Sequence, residues 1–395
     1  MANTFKLGNG SWAVKDGFAL AYNDENNNFK PLPFNFTRAS TATRVNKDGL
    51  IKSVPSGKPR IDFTDNTSGH LLLEPSSTNK FPYSNFYGTG GFGTFTTGTS
   101  SITVTNNYAT SPDGSLNAIR MVATCGSTSS DRAGLRDTIT MSAASATLSF
   151  YAKSNTSSSQ TISVHFNGTN KQTITLTTEW QRFTYTDTSA TTNNSGVEIR
   201  GGSTDTSVDV LLFGFQLEQA SYATSYIPTE GSSVTRSDDY AIDAGNSDVF
   251  SNTELSWFLD IEGFAEDGTN RYISISDNGG SPYTNGYAVQ YRSDGNIRVF
   301  RNGLDFADAI SIANIDQAVR QKIAIRFKQD DMKVYINGVS QNINASYVFQ
   351  SMSGIDSMRF TQQNSTTSNA FDGKIYEMRV WNEALTATQL QNLTS

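Results

Sequence analysis

Two histidines, one cysteine and a scattering of carboxylates are what this 395-residue chain offers for catalysis or soft-metal binding. His165 sits in the alternating run Ile162-Ser-Val-His-Phe166, whose apolar members point inward, so it reads as an exposed strand histidine. His70, at the head of Leu71-Leu-Leu-Glu74, reads as structural. Cys125, in Ala-Thr-Cys-Gly-Ser, reads as a small core or loop residue, and one cysteine excludes an internal disulfide framework or a Cys-based zinc site. There is no Gly-x-Ser-x-Gly elbow, no phosphate-binding loop ending in Gly-Lys-Ser/Thr, no His-Glu-x-x-His and no paired cysteine motif. Glycoside hydrolysis needs two carboxyl groups about 5–10 Å apart. The candidates Glu218, Glu262, Glu266 and Glu377 share no acid/base pattern on one strand face, so no catalytic residue is assigned and no enzyme is expected.

Binding chemistry has better candidates. Asp277 and Asn278, and Asp294 with Asn296, combine oxygen ligands with glycine in loops that could hold Ca2+. Asx-Gly is equally plain turn chemistry, and no cofactor is certain. Sugar recognition pairs aromatic faces, which stack on pyranose rings, with amides that fix hydroxyls. Two loops fit: one carries Tyr283, Asn285 and Tyr287, the other Tyr87 and Phe92. The competing reading folds each aromatic back onto its own sheet edge. Residues 37–60 hold six basic side chains against one acid, a solvated face or a docking surface for an acidic partner.

These groups must be carried by strands. Period-two alternation recurs throughout: Leu148, Phe150 and Ala152; Ile162, Val164 and Phe166; Leu255, Trp257, Leu259 and Ile261; Ile323, Ile325 and Phe327; Met332, Val334 and Ile336. The last run enters Asn337-Gly338, the preferred pair for a type I′ hairpin. One short helix is expected over about 387–393, capped by Thr386 with Gln389 completing a capping box and Leu385 and Leu390 forming a staple. Ser, Thr and Asn together number 128, charged residues are 17% and aromatics 11%, which suits two-faced sheets and argues against disorder. A net charge of −7 argues against a nucleic-acid partner, and no apolar run reaches the roughly 18–20 residues that span a bilayer. Neither membrane insertion nor Sec export is expected, and the lone cysteine fits synthesis in a reducing cytosol.

The expected fold is all-β: two antiparallel β-sandwiches preceded by an irregular N-terminal module, with one short C-terminal helix. Residues 1–80 hold five of the nine prolines, and 228–237 form a polar Gly/Ser stretch read as a linker. Phe36-Thr-Arg-Ala-Ser-Thr-Ala-Thr-Arg-Val-Asn-Lys-Asp-Gly-Leu50, Lys58-Pro-Arg-Ile-Asp-Phe63 and Leu71-Leu-Leu-Glu-Pro-Ser-Ser-Thr-Asn79 together resemble a module of tailed-bacteriophage virion proteins. Ser111-Pro-Asp-Gly-Ser115, Leu148-Ser-Phe-Tyr-Ala-Lys153, Thr178-Glu-Trp-Gln-Arg-Phe183, Phe215-Gln-Leu-Glu218 and Ala223-Thr-Ser-Tyr-Ile-Pro228 resemble a carbohydrate-binding-module jelly roll, with Trp180 and Phe150 expected in its core. Met332-Lys-Val-Tyr-Ile-Asn-Gly-Val339 and Phe371-Asp-Gly-Lys-Ile-Tyr-Glu-Met-Arg-Val-Trp381 are similar to laminin-G or concanavalin-like sandwiches.

The resemblances imply an attachment module over 1–80, a jelly roll over 81–228, a linker over 229–249 and a laminin-G-like sandwich over 250–395. They imply a virion fibre, spike or decoration protein, made in the host cytoplasm and displayed on the virion surface. The N-terminal module would meet other virion proteins and the sandwiches bacterial surface polysaccharide, in a homo-oligomer whose multivalency offsets weak single contacts. Two other readings stand beside this: a purely structural capsid or tail decoration, and a polysaccharide-degrading enzyme.

Overall fold

Strand pairing redraws the expected domain boundaries. The computed structural model describes residues 4–15, 18–23, 30–264, 268–277, 285–301, 309–312, 315–341, 352–362, 367 and 369–395. They divide into two units, each assembled from separated segments: unit 1 is Met1–Thr41, Val54–Pro75 and Asp238–Ser395, and unit 2 is Ala42–Ser53 and Ser76–Ser237. Residues 1–80 are therefore not a module of their own. Nor are they irregular: the strands Phe5–Gly8, Phe18–Asn23, Asn35–Thr37, Arg60–Asp62 and His70–Leu73 all lie there. Their shortness hid them, as did prolines in Lys30–Pro33, which pairs with Phe18–Asn23 alone, where a proline costs no second ladder bond.

Unit 1 packs two antiparallel sheets over one core. In the first, Phe5–Gly8, Gly373–Trp381, Leu255–Gly263, Gln321–Phe327 and Lys333–Ile336 lie side by side. The N-terminal strand thus completes the C-terminal sheet, with Phe5 opposite Val380 and Gly8 opposite Glu377. The second sheet runs Ala309–Ile312, Ile297–Arg301, Gly286–Tyr291, Arg271–Ser276 and Ser357–Arg359. Trp257, Leu259, Ile323, Ile325 and Val380 from the first meet Ile273, Ile275, Val289 and Val299 from the second. The alternating runs place their apolar members inward as expected. Asn337 and Gly338 both take positive φ, 49° and 79°, and link Lys333–Ile336 to Val339–Ser340. The helix is Ala387–Thr394, its capping box made by Thr386 and Gln389, and Leu385 and Leu390 pack with Phe258 and Trp381 on the outer side of the sheet.

The expected linker is paired as well. Val234–Arg236 pairs with Ser77–Asn79 in unit 2, and Tyr240–Ile242 pairs with Asn35–Thr37 in unit 1. Beside the second pair lies a buried ionic hub. Arg38 spends all five of its N–H groups: on the carbonyls of Ser40 (2.9 Å), Lys58 (3.1 Å), Val54 (3.3 Å) and Pro55 (2.7 Å), and on Asp239 Oδ1 (2.8 Å). Arg60 donates to Glu74 Oε2 at 2.7 Å and to Asp239 Oδ2, which also accepts from the Glu74 amide at 3.0 Å. Burial opposes the Arg60 charge, but Asp239 and Glu74 outweigh it and raise its pKa. The motif arginines are thus internal, and the basic run 37–60 is no single face: Arg38, Lys58 and Arg60 belong to unit 1, Arg44, Lys47 and Lys52 to unit 2.

Unit 2 is built on an eight-stranded antiparallel sheet in the order Ser101–Thr110, Leu116–Thr124, Ser207–Glu218, Arg132–Ser154, Gln181–Arg200, Gln160–Phe166 and Thr169–Leu176, with Gly93–Thr97 added along Arg132–Ser154. Ala133 and Leu135 from one end of Arg132–Ser154 share a core with Leu148 and Phe150 from the other, so this bulged strand serves both sides of the core. Trp180 departs from expectation. It is half-buried in a separate cluster with Ile51, Phe213 and Tyr226, under the Lys153 ammonium.

Removing one partner of a buried ion pair strands the other's charge, at a cost of about 3–5 kcal/mol. Asp239→Ala should therefore lower the unfolding free energy of unit 1 by that amount, read from urea denaturation followed by circular dichroism. A loss under about 1 kcal/mol, the worth of a surface pair, would make the hub dispensable. His70 titrates in the same unit: burial, only partly opposed by Asp62, lowers its pKa from 6.5 to about 4. The folded state then binds fewer protons than the unfolded one between pH 6.5 and 4, so stability is full above 6.5 and falls as pH drops through that window. The loss reaches about 3 kcal/mol, and His70→Gln should flatten that part of the stability profile.

Candidate functional site

Three motif segments of unit 2 close on one another through buried amides. The Asn79 side chain donates to the carbonyls of Phe215 (3.1 Å) and Ile227 (2.9 Å) and accepts from the amides of Phe81 and Leu217. Gln216 accepts from the Ile227 amide at 2.6 Å and donates to Glu218, whose carboxylate also takes Ser77 Oγ and both the amide and hydroxyl of Thr224. This clasp fixes residues 224–229. The Tyr226 hydroxyl then shares a 2.6 Å hydrogen bond with Ser84 Oγ and accepts from Asn85 Nδ2 at 2.9 Å, locking residues 83–86 to the same wall. Burial raises the Tyr226 pKa, so it stays a neutral phenol.

Between these walls lies a cleft of about 690 Å³, within the roughly 300–1,000 Å³ range of small-ligand sites. Tyr83 and Phe86 form its aromatic side, ring centroids 5.2 Å apart, with Phe86 38% exposed. Asn107 enters from Ser101–Thr110, where the ladder register breaks after Thr105 and Asn107 takes φ 52°; such a bulge re-aims a side chain. Asn106 anchors the bulge by exchanging hydrogen bonds with the Tyr87 backbone, 2.8 and 2.9 Å. Asp113 and Asn117 face this wall, with Glu230 at the rim. Burial pushes the Asp113 pKa up, but hydrogen bonds from Asn117, Ser115 and Ser111 outweigh it and hold the carboxyl below its ordinary range. Two lining groups have no hydrogen-bond partner among the described residues: Asn117 Oδ1 and Thr229 Oγ1, both shielded from solvent.

The sequence-selected residues fall elsewhere. Phe92 is fully buried against Phe81 and Phe215, and Tyr287 is fully buried with its hydroxyl on the Ser251 carbonyl, so neither can stack on a sugar. Tyr87 is half-buried against the core of unit 2. Asn285 spends its amide on the backbone of Ser353, while Tyr283 and Asn278 lie outside the described residues. Asp294 is held by Arg292 and accepts from the Asn296 amide, a turn with its charge already paired; Arg292 and these bonds lower its pKa. Asp277 lies at the end of Arg271–Ser276, and among the described residues no cluster of three or more His, Cys, Asp or Glu could hold a metal ion. The loop selected in the sequence, Tyr87 to Phe95, begins just after the cleft's rings, Tyr83 and Phe86, and contributes no lining residue. The available signal was Asn106-Asn107 interrupting an alternating strand.

His165 is not exposed as expected; it is 1% accessible, with Nδ1 3.2 Å from a Glu198 oxygen. Nor do the carboxylates form a catalytic pair. Glu218 belongs to the clasp, Glu262 binds Lys374 and Tyr376, Glu377 binds Arg379, and Glu266 lies outside the described residues.

Residues 239–391 match the Laminin_G_3 family, the concanavalin A-like lectin/glucanases superfamily. This region, most of unit 1, is thus a concanavalin A-like domain. No curated protein matches the chain. Among solved structures, the CBM40 of the Ruminococcus gnavus IT-sialidase aligns at 14% identity and TM-score 0.32, over 39% of this chain and 94% of that one. The receptor binding domain of botulinum neurotoxin C/D mosaic serotype aligns at 12% and 0.30, over 40% of each chain. The tandem CBM22 modules of Paenibacillus barcinonensis Xyn10C align at 11% and 0.26, over 77% of this chain and 96% of that one.

Tyr226→Phe leaves Ser84 and Asn85 without their shared partner, which costs about 1–3 kcal/mol. Unit 2 should lose that much stability. The Gly214 amide, which donates to Asn85 Oδ1 at 2.6 Å, should exchange with solvent faster. Unchanged exchange there would show that the hydroxyl does not hold the wall.

Proposed function

We propose that the cleft of unit 2 binds a saccharide without cleaving it, and that the chain displays this site on a tailed-phage particle to engage bacterial surface polysaccharide. The observation that carries the binding is the lining itself. An aromatic pair, the half-buried Tyr83 and the exposed Phe86, faces amides and an ionised carboxylate, and the shielded Asn117 Oδ1 and Thr229 Oγ1 have no partner among the described residues. A sugar offers an apolar ring face and a fan of hydroxyls, which match both halves of that list of needs. The concanavalin A-like match of residues 239–391 agrees with a carbohydrate setting.

The virion role rests on the resemblance of residues 36–79 to a phage module. Its most specific residues, Arg38, Arg60 and Glu74, are buried in the hub, so they hold the fold, and contacts with other virion proteins would use other surface. Oligomerisation on the particle would turn a weak single-site contact into firm adsorption.

The experiment is binding of the purified chain to immobilised polysaccharides of candidate hosts, with Phe86→Ala and Asp113→Ala as variants. Each should weaken binding at least about tenfold, as loss of a binding hot spot does; Phe86→Ala should leave the thermal midpoint unchanged, whereas Asp113→Ala also removes the carboxylate that Ser111, Ser115 and Asn117 bond and should lower it. No binding to any host polysaccharide, or full binding by both variants, would reject the reading. A virion lacking the chain should adsorb poorly; fragile particles with normal adsorption would favour a purely structural decoration.

A further inference from the structure

One face of unit 2, away from the cleft residues, collects arginines that its acids do not balance. Strand register puts Phe95, Gly134, Glu198 and Ser163 in one row across four strands. Arg136 lies on one side of that row. Arg132 and Arg200 stand directly opposite each other on the other side. Arg136 folds back across the row: its guanidinium lies 3.7 Å from the Phe95 ring centroid and donates to Glu198 Oε2, and Arg200 Nε donates to Glu198 Oε1 at 2.6 Å. Gly134 lets these side chains meet, since a Cβ there would stand 2.8 Å from the Glu198 Cβ.

Glu198 is fully buried and ionised. Burial alone would raise its pKa, but His165, Arg200 and Arg136 bring it down to about 2. One carboxylate therefore pairs with two guanidinium groups, and a third arginine, Arg132, stands beside them. Arg132 has no ion pair or hydrogen bond through its side chain among the described residues, and it faces the like charge of Arg200, an arrangement that destabilises a sheet unless something neutralises it. His165 Nε2, shielded beneath, also has no partner among the described residues.

We infer that this face is a second binding site, selective for a carboxylate-bearing sugar such as a uronic acid residue of an acidic polysaccharide. Guanidinium groups match a carboxylate as a two-pronged fork. Thr97 stands opposite Arg132 with its hydroxyl donating to the Ser130 carbonyl, and Thr161 and Thr175, opposite each other on the strands beyond Arg200, supply hydroxyls for the ring. The formal excess is two charges over a buried carboxylate, within a chain of net charge −7, which suits one anionic group better than a polyphosphate.

Titration of the full chain with trigalacturonate, followed by calorimetry, tests this. Trigalacturonate should bind, its fully methyl-esterified form should bind at least about tenfold more weakly, and added salt should weaken the acid form alone. Arg132→Ala should cause a similar loss with an unchanged thermal midpoint, because it breaks no ion pair. Phe86→Ala should leave uronate binding intact, which separates this site from the cleft: either site can fail without the other. Equal binding of acid and ester, uronate binding lost with Phe86→Ala but kept with Arg132→Ala, no uronate binding, or tighter binding of a short DNA oligonucleotide would each overturn the inference.

Discussion

The buried hub of Arg38, Arg60, Glu74 and Asp239 is the constraint on which the chain's organisation rests. The chain passes between the two units four times, and most hub groups lie close to a crossing: Arg38 before Thr41, Val54 and Pro55 at the return with Arg60 six residues beyond Val54, Glu74 before Pro75, Asp239 just after Asp238. A hydrophobic contact is tolerant of register, whereas a guanidinium with five directed donors is not. Burying two arginines and two carboxylates is costly unless every group is matched, and that cost is what makes the arrangement specific: misplacing any one segment strands a charge. Three of the motifs that resemble the phage module thereby find a physical explanation as the joints of a discontinuous unit.

Unit 2 solves the same problem with uncharged amides around a single carboxylate. Asn79, Gln216 and Glu218 tie together the segment after the last entry, the long central strand Ser207–Glu218 and the segment that leaves. The cleft is a by-product of this closure. Because Tyr226 hangs from the clasp and holds Ser84 and Asn85, the aromatic pair is set by the residues that end the unit, with no dedicated scaffold of its own. Structure and candidate site here share one hydrogen-bond network.

Local pattern revealed what is local. Alternation located Leu255–Gly263 and Gln321–Phe327, Asn337-Gly338 located a hairpin, and the Thr386/Gln389 pair located the helix, because each depends on neighbours a few residues apart. Alternation also gives the side of a strand on which a residue lies. It does not tell what covers that side, which is why His165 looked exposed and Tyr287 looked available. The division into units was illegible for the same reason: Arg38 meets Asp239 across 201 positions, and no periodicity reports a contact of that range. The cleft was not legible: the loop chosen for aromatics and glycines begins at Tyr87, just past the cleft's rings, and its Phe92 is spent against Phe215 in the core.

Residue type alone does not separate scaffold from candidate site. Asparagine, arginine and threonine occur in both. In the scaffold, Asn79 and Arg38 have each donor engaged, and nothing remains to offer a ligand. In the cleft, Asn117 uses its donor on Asp113 and keeps a shielded acceptor idle, and Thr229 keeps a hydroxyl idle. A protected polar group without a partner costs about 1–3 kcal/mol, a cost that the buried Trp257 Nε1 and Tyr291 Oη of unit 1 also carry, so what distinguishes Asn117 and Thr229 is their place at the cleft. Such groups at the wall of an open cleft are explained when something from outside completes them, and the abundance of Ser, Thr and Asn matters less than the few whose bonds are unfinished.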